Sequence, residues 1–263
     1  MPSSKLVVGD PSLPMNENEP KKAWLSTAED DDVFSDIVES RHVIVFPWLI
    51  AIIRELKPNS VLDYGAGDGK FLAQLRERFA GELWHYDPSP ALTAKAKRLL
   101  QDADVRFCQD AKSLNGESVD VVTSIAVWMT LFGYQACVDY LSEQHRLLHR
   151  GGRAFVVVTH PCFREERYSS FKTQFKNDGY LRDGIPFTVD VFDRDRAVQF
   201  VDYHWNLSTM LRQSREVGFQ LLAVTELPDA TDGNPRAHPG SASSSARTRG
   251  SSTSPTKNRH LRA

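Results

Sequence analysis

The sequence predicts an α/β protein built on a doubly wound, mostly parallel sheet, and three observations carry that expectation. From Ser60 onward, short apolar runs alternate with segments of helical length and spacing, the pattern of repeated βαβ units. The first run leads into a glycine-spaced turn, Gly65-Ala66-Gly67-Asp68-Gly69, that opens a helix. An acidic residue ends or closely follows each of the first three runs: Asp63, Asp87 and Asp110. In open α/β sheets, ligands bind at the carboxyl ends of the strands.

Taken in order, residues 1–30 mix Pro, Ser, Asn, Lys and Glu without apolar periodicity and read as a flexible arm, in which only Trp24 and Leu25 invite burial. After the acidic run Glu29 to Asp32, the spacing of Val33, Ile37, His42 and Val45 predicts a helix that Pro47 breaks or restarts. A second helix then extends to about Pro58. Strands are predicted at 61–64, 82–86, 105–108, 119–124 and 154–158, with helices at 71–79, 89–100 and 134–149, the last closed by Gly151-Gly152. Beyond His160 the rhythm fails. Residues 163–205 form an aromatic and charged insertion, with a hairpin around Asp193-Arg194-Asp195, and read as a lid between the fifth and sixth strands. A helix at 207–216 and a sixth strand at 219–227 complete the domain, 31–228. The Gly/Ser/Pro/Arg-rich stretch 229–263 reads as a disordered basic tail.

Composition narrows the function. The chain has 263 residues, 41% hydrophobic and 25% charged, with a net charge of −2. From Gly233 onward there are six Lys/Arg and no Asp/Glu, so the rest carries 26 basic against 34 acidic residues. An acidic body argues against nucleic acid as a partner. The longest apolar run, Val43 to Ile53, is interrupted by Pro47 and falls short of the roughly 20 residues of a membrane span. Three widely spaced cysteines, Cys108, Cys137 and Cys162, form no metal pair and fit a reducing, cytoplasmic setting. His145 and His149 stand four apart without HExxH context, so they read as a solvated helix face, and no metal is expected.

The glycine spacing is GxGxG. A dinucleotide-binding turn is GxGxxG, and Lys70 stands where that third glycine would be. The Walker form, GxxxxGK followed by Ser or Thr, is also absent, because Phe71 follows Lys70. Glycines let the backbone approach a ligand, while a carboxylate before the turn suits a cationic group; the methionyl ammonium of S-adenosylmethionine is such a group. Asp87 could accept the ribose hydroxyls or cap the helix that follows it, and Asp110 could take an adenine amino group or serve a turn.

On VLDYGAGDG, WHYDPSP, CQDA, VDVVTSIAVWMTL, HRLLHRGGRAFVVVTH and HWNLSTMLRQSREVGF, the chain from Val33 to Leu227 resembles class I S-adenosylmethionine-dependent methyltransferases. Within them it is similar to the small-molecule branch of the ubiquinone and menaquinone biosynthesis enzymes. The resemblance implies that Asp63, Gly65, Ala66 and Gly67 line the methionine moiety and that Asp87 and Pro88 border the ribose. It places Asp110 and Ala111 at adenine, and Ser124, Ala126 and Met129 beneath the sulfonium. Trp128 stands where members of that branch often carry histidine. The family's sheet ends in an antiparallel seventh strand, for which Pro228 onward offers no apolar run; either it is missing or another segment or subunit supplies it.

Methyl transfer needs proximity and, for a protonated acceptor, a base. His160 and His204 are the candidate catalytic bases, and Tyr168, Tyr203 and Trp205 the candidate acceptor walls. The expected reaction methylates O or N of a small metabolite, by a monomer or homodimer off the membrane. The alternatives are RNA or protein methylation, or a non-catalytic S-adenosylmethionine-binding regulatory partner.

Overall fold

The computed structural model describes residues 6–7, 41–108, 110–114, 119–162, 171–175, 179–193 and 196–227. Most of the predicted arm with Trp24 and Leu25, the helix start at Val33, Tyr168 and the predicted tail lie outside them. The chain enters through a helical turn at Arg41–Val45 and α1 (Phe46–Leu56), then β2 (Ser60–Tyr64), α2 (Lys70–Arg76), β3 (Glu82–Tyr86), α3 (Pro90–Leu99) and β4 (Val105–Cys108). It continues through β5 (Val119–Ile125), α4 (Tyr134–Leu147), β6 (Leu148–Val157), β7 (Phe171–Gln174), β8 (Ile185–Asp193), β9 (Arg196–His204) and α5 (Leu207–Glu216). A two-residue strand, β1 (Leu6–Val7), precedes all of these.

Five strands form one parallel sheet in the order β4-β3-β2-β5-β6. The chain leaves the central β2 toward β4 and returns to β5 on the other side, so the topological switch point lies between β2 and β5. The second sheet, β1-β9-β8-β7, is separate and mainly antiparallel, with β8 and β9 paired along their whole lengths from Ile185↔His204 to Asp193↔Arg196. This is the predicted hairpin, extended.

Burial explains the layers. On α1, Phe46, Leu49, Ile50 and Ile53 repeat at helical spacing and pack with Phe71, Leu72 and Leu75 of α2 over Val61 and Leu83 of the sheet. Leu62, Trp84, Val122 and Leu147 fill the other face. Ser89 caps α3 by accepting the Leu92 N–H, and Asn206 caps α5 by accepting that of Thr209.

Two expectations need correction. The helix α4 ends at Leu147, and Gly151-Gly152 lie inside β6, which begins at Leu148 with a register shift against β5. Gly152 there leaves no room for a Cβ, which would stand 2.9 Å from Leu148 and 3.0 Å from the Asp120 carbonyl. Residues 219–227 form no strand: they pair with no other described strand, and Leu221, Leu222 and Val224 are more than half exposed. An apolar run becomes a strand only where its backbone finds a hydrogen-bonded neighbour.

His149 thus leaves the helix and pairs with Asp120 at the amino end of the sheet. Its Nδ1–H faces the Arg150 carbonyl and its Nε2–H the carboxylate, so the ring is held as the cation, its pKa raised chiefly by Asp120. Burial alone raises Asp120, but hydrogen bonds from His149, the Asn59 N–H and the Ser60 N–H outweigh it and lower its pKa. The pair therefore stabilises the fold from about pH 4 to about pH 6.5, fading as pH rises through the raised histidine value or falls through the lowered carboxylate value. Being partly exposed, it contributes less than about 1 kcal/mol. Denaturant titration of His149→Ala should show a deficit of that size at pH 5.5 that shrinks at pH 8.5; an equal gap at both would contradict the assignment.

Candidate functional site

The glycine turn is bound to the end of β3 from several sides. Because β2 and β3 end level, with Tyr64 opposite Tyr86, the Tyr86 carbonyl accepts both the Gly65 N–H (2.8 Å) and the Ala66 N–H (2.9 Å). The Gly67 N–H donates to Asp87 Oδ2 (2.8 Å), and His85 Nε2–H donates to the Gly67 carbonyl (3.0 Å). Gly65, Gly67 and Gly69 all have positive φ, +80°, +56° and +81°, a region that disfavours other residues. A Cβ on Gly65 would lie 2.4 Å from Val127 Cγ2, whereas one on Gly67 would meet open space.

Asp63 is 2% exposed at the switch point, where Thr123 of β5 donates a hydrogen bond to its Oδ1 (2.8 Å). Burial pushes its pKa up to about 7 against the pull of that bond, and the Asp87 charge adds to the rise. Asp87 is also raised by burial, although the Ser89 and Gly67 N–H groups stabilise its carboxylate. It does not cap α3; that role belongs to Ser89. Two buried carboxyls beside an open loop suit a ligand carrying a cation and hydroxyl donors.

The other predicted donor residues gather at the same edge. Pro88 is exposed beside Asp87, Asp110 is exposed after β4, and Ala111 is buried at the start of a 3₁₀ turn. Ser124 is buried, donating to the Tyr64 carbonyl and accepting from the Tyr140 hydroxyl (2.7 Å). Ala126, just past β5, has φ +59° with its N–H bound to the Val157 carbonyl (2.8 Å), and Met129 is buried in the next turn. A non-glycine residue in that region stores strain, which tends to collect at functional sites.

The candidate bases stand differently from each other. His204 is 0% exposed: its ring stacks on Phe175 (4.4 Å between centroids), and its Nε2–H donates to the Tyr180 carbonyl (2.8 Å). A ring so enclosed braces the antiparallel sheet. His160 is half-buried, with Nε2 2.9 Å from Glu226 and Nδ1 accepting the Cys162 N–H. Tyr203 and Trp205 are buried rather than lining open space. They pack with Trp128, Leu131 and Phe132 of the loop leaving β5, and Trp205 Nε1–H donates to the Leu131 carbonyl (3.2 Å). Together they seat the antiparallel sheet on that loop.

Residues 62–156 match the family described as methyltransferase domain. The match is to an enzymatic domain, and the chain is an enzyme. The fold is shared with an S-adenosylmethionine-dependent methyltransferase of Clostridium acetobutylicum, at 14% identity over 77% of this chain and 89% of that one, TM-score 0.53. It is shared also with the PH0226 protein of Pyrococcus horikoshii, at 18% identity over 74% and 89%, TM-score 0.52. No curated protein matches the chain in sequence. Among the described residues, no helix is long and apolar enough to cross a membrane, and no cluster of His, Cys, Asp or Glu could hold a metal.

Sequence reading did not single out Thr123 or His85. Both are polar residues inside apolar strands, which is the signal that could have found them. The two glycine positions should separate fold from binding. Gly65→Ala, with both strain and a clash, should lower stability by about 1–3 kcal/mol. Gly67→Ala carries only the left-handed backbone cost, about 1–2 kcal/mol, but fills the open space at the turn, so if a ligand binds there S-adenosylhomocysteine affinity should fall further than stability. Thermal melts with calorimetry check this, and the reverse ranking would contradict it.

Proposed function

We propose that the enzyme methylates an O or N atom of a small-molecule acceptor the size of a metabolite, with the antiparallel sheet forming the acceptor side. One observation carries this reading: Tyr203 and Trp205 seat that sheet on Trp128, Leu131 and Phe132, at the loop where the reacting centre is expected. A sheet packed over that loop leaves room beside it for a small acceptor rather than a macromolecule, and the acidic body disfavours nucleic acid. The resemblance to ubiquinone and menaquinone biosynthesis enzymes points the same way.

Bound S-adenosylmethionine supplies an electrophilic methyl group on a sulfonium, so the chain's own work is binding, orientation and proton removal. In this reading Asp63 receives the donor's ammonium, Gly65, Ala66 and Gly67 cradle its methionine part, and Asp87 with Pro88 holds the ribose hydroxyls. Asp110 and Ala111 border adenine, while Ala126 and Met129 lie under the sulfonium. His160, the less enclosed of the two candidate histidines, takes the acceptor's proton on Nδ1 in place of the Cys162 N–H, with Glu226 facing Nε2; His204 serves by holding the antiparallel sheet.

Asp63 makes donor binding pH-dependent. Below pH 7 its buried carboxyl is mostly protonated, and an arriving cation favours the carboxylate, so binding should tighten as pH rises from 6 to 7.5 and release a proton. Calorimetry in buffers of different ionisation enthalpy reads this, and Asp63→Asn should remove the pH dependence. With labelled donor, the label should appear in the small-molecule fraction of a host extract; label in RNA or protein would overturn the acceptor class. On the identified acceptor, His160→Ala should lower turnover by a factor of about 10² to 10⁴ with donor binding intact. His204→Ala should lower the melting temperature instead.

A further inference from the structure

The ring of His85 is an anomaly in its strand. It sits on β3 between Trp84 and Tyr86, 0% exposed, against Phe107 of β4 (5.0 Å between centroids). Its Nδ1 is buried and makes no hydrogen bond to another described residue. An apolar side chain would fill the place without that cost. Among the described residues, the ring's one hydrogen bond to another residue is to the Gly67 carbonyl, at 3.0 Å. A carbonyl only accepts, so the hydrogen is on Nε2, and burial keeps the ring neutral by lowering its pKa.

That carbonyl belongs to the Gly67–Asp68 peptide at the apex of the glycine turn. The peptide is trans, so its C=O and N–H point in opposite directions. With the C=O held by His85, the Asp68 N–H points away from the sheet. No acceptor for it occurs among the described residues. Asp87 holds the peptide on the other side of Gly67. Glycine at φ +56° would otherwise let this peptide rotate.

We propose that His85 is a positioning residue of the donor site: through the Gly67 carbonyl it fixes the Gly67–Asp68 peptide so that the Asp68 N–H stays available to an oxygen of bound S-adenosylmethionine. The proposal rests on the donor binding at this loop. It makes His85 a determinant of donor affinity without contact with the donor.

Two variants and one spectroscopic signature test it. His85→Phe keeps the ring stacked on Phe107 but removes the donated hydrogen bond, whereas His85→Gln retains an N–H. Calorimetry with S-adenosylhomocysteine should show about tenfold weaker binding for the Phe variant, the worth of one hydrogen bond. The Gln variant should recover most of the loss, although neither melts far from wild type. Long-range ¹H–¹⁵N spectra of the ligand-free wild-type protein should show a neutral Nε2–H tautomer, and the Asp68 amide should shift on adding S-adenosylhomocysteine. An Nδ1–H tautomer, an unmoved Asp68 amide or unchanged affinity in His85→Phe would each overturn the proposal. If wild-type protein binds no S-adenosylhomocysteine, the donor reading itself fails; if it binds and His85→Phe matches it, the positioning role alone fails.

Discussion

The attachment of the glycine turn to the end of β3 is the constraint from which the rest of the site follows. Gly65 and Ala66 donate to the Tyr86 carbonyl, Gly67 donates to Asp87, and His85 donates to Gly67. These bonds form only because β2 and β3 run parallel and end at the same level. They also require positive φ at the glycines, since another residue would have to leave the very conformation that points the amides at β3. Gly69 extends the constraint into the core: a Cβ there would stand 2.9 Å from Leu100 and 3.1 Å from Ala96, so its absence lets α2 and α3 approach.

Around this turn the protein keeps charge out of water before any ligand arrives. Asp63 and Asp87 are both buried, both raised by burial, and close enough that the charge of Asp87 acts on Asp63. Nothing in the apolar sheet requires carboxyls there, and their desolvation opposes folding. A cation and a pair of hydroxyl groups would relieve them. The strained backbone of Ala126 adds to the same cost across the switch point. Preorganised groups of this kind need little rearrangement when a ligand binds.

The second sheet is attached by two different means. Apolar contact joins Tyr203 and Trp205 to the loop after β5. A carboxylate hub does the rest: Asp183 Oδ1 accepts the backbone and side-chain N–H groups of Asn206, and its Oδ2 accepts the Thr209 hydroxyl, so the approach to β8 is tied to the start of α5. His204 lies between these attachments. Its ring stacks on Phe175 and donates to the Tyr180 carbonyl, so a histidine at the end of β9 braces that sheet.

By itself the sequence determined what depends on near neighbours along the chain. Alternating strands and helices, the GxGxG spacing, the three acids at strand ends and the hairpin around Asp193-Arg194-Asp195 are all local patterns, governed by side-chain period, glycine's backbone freedom and turn chemistry. Those patterns were enough for the doubly wound sheet and the glycine turn at its carboxyl edge. Only the tertiary structure decided which polar residues face the loop and which merely hold the scaffold. His85 and His204 are both histidines on strands, yet one reaches the Gly67 carbonyl and the other the Tyr180 carbonyl. Residues 219–227 have the composition of a strand and lack a neighbour to pair with, while 148–153 became strand because β5 lies alongside. In each case the deciding partner is far away in sequence, and a hydrogen bond or a buried contact exists only once the fold has brought that partner within reach.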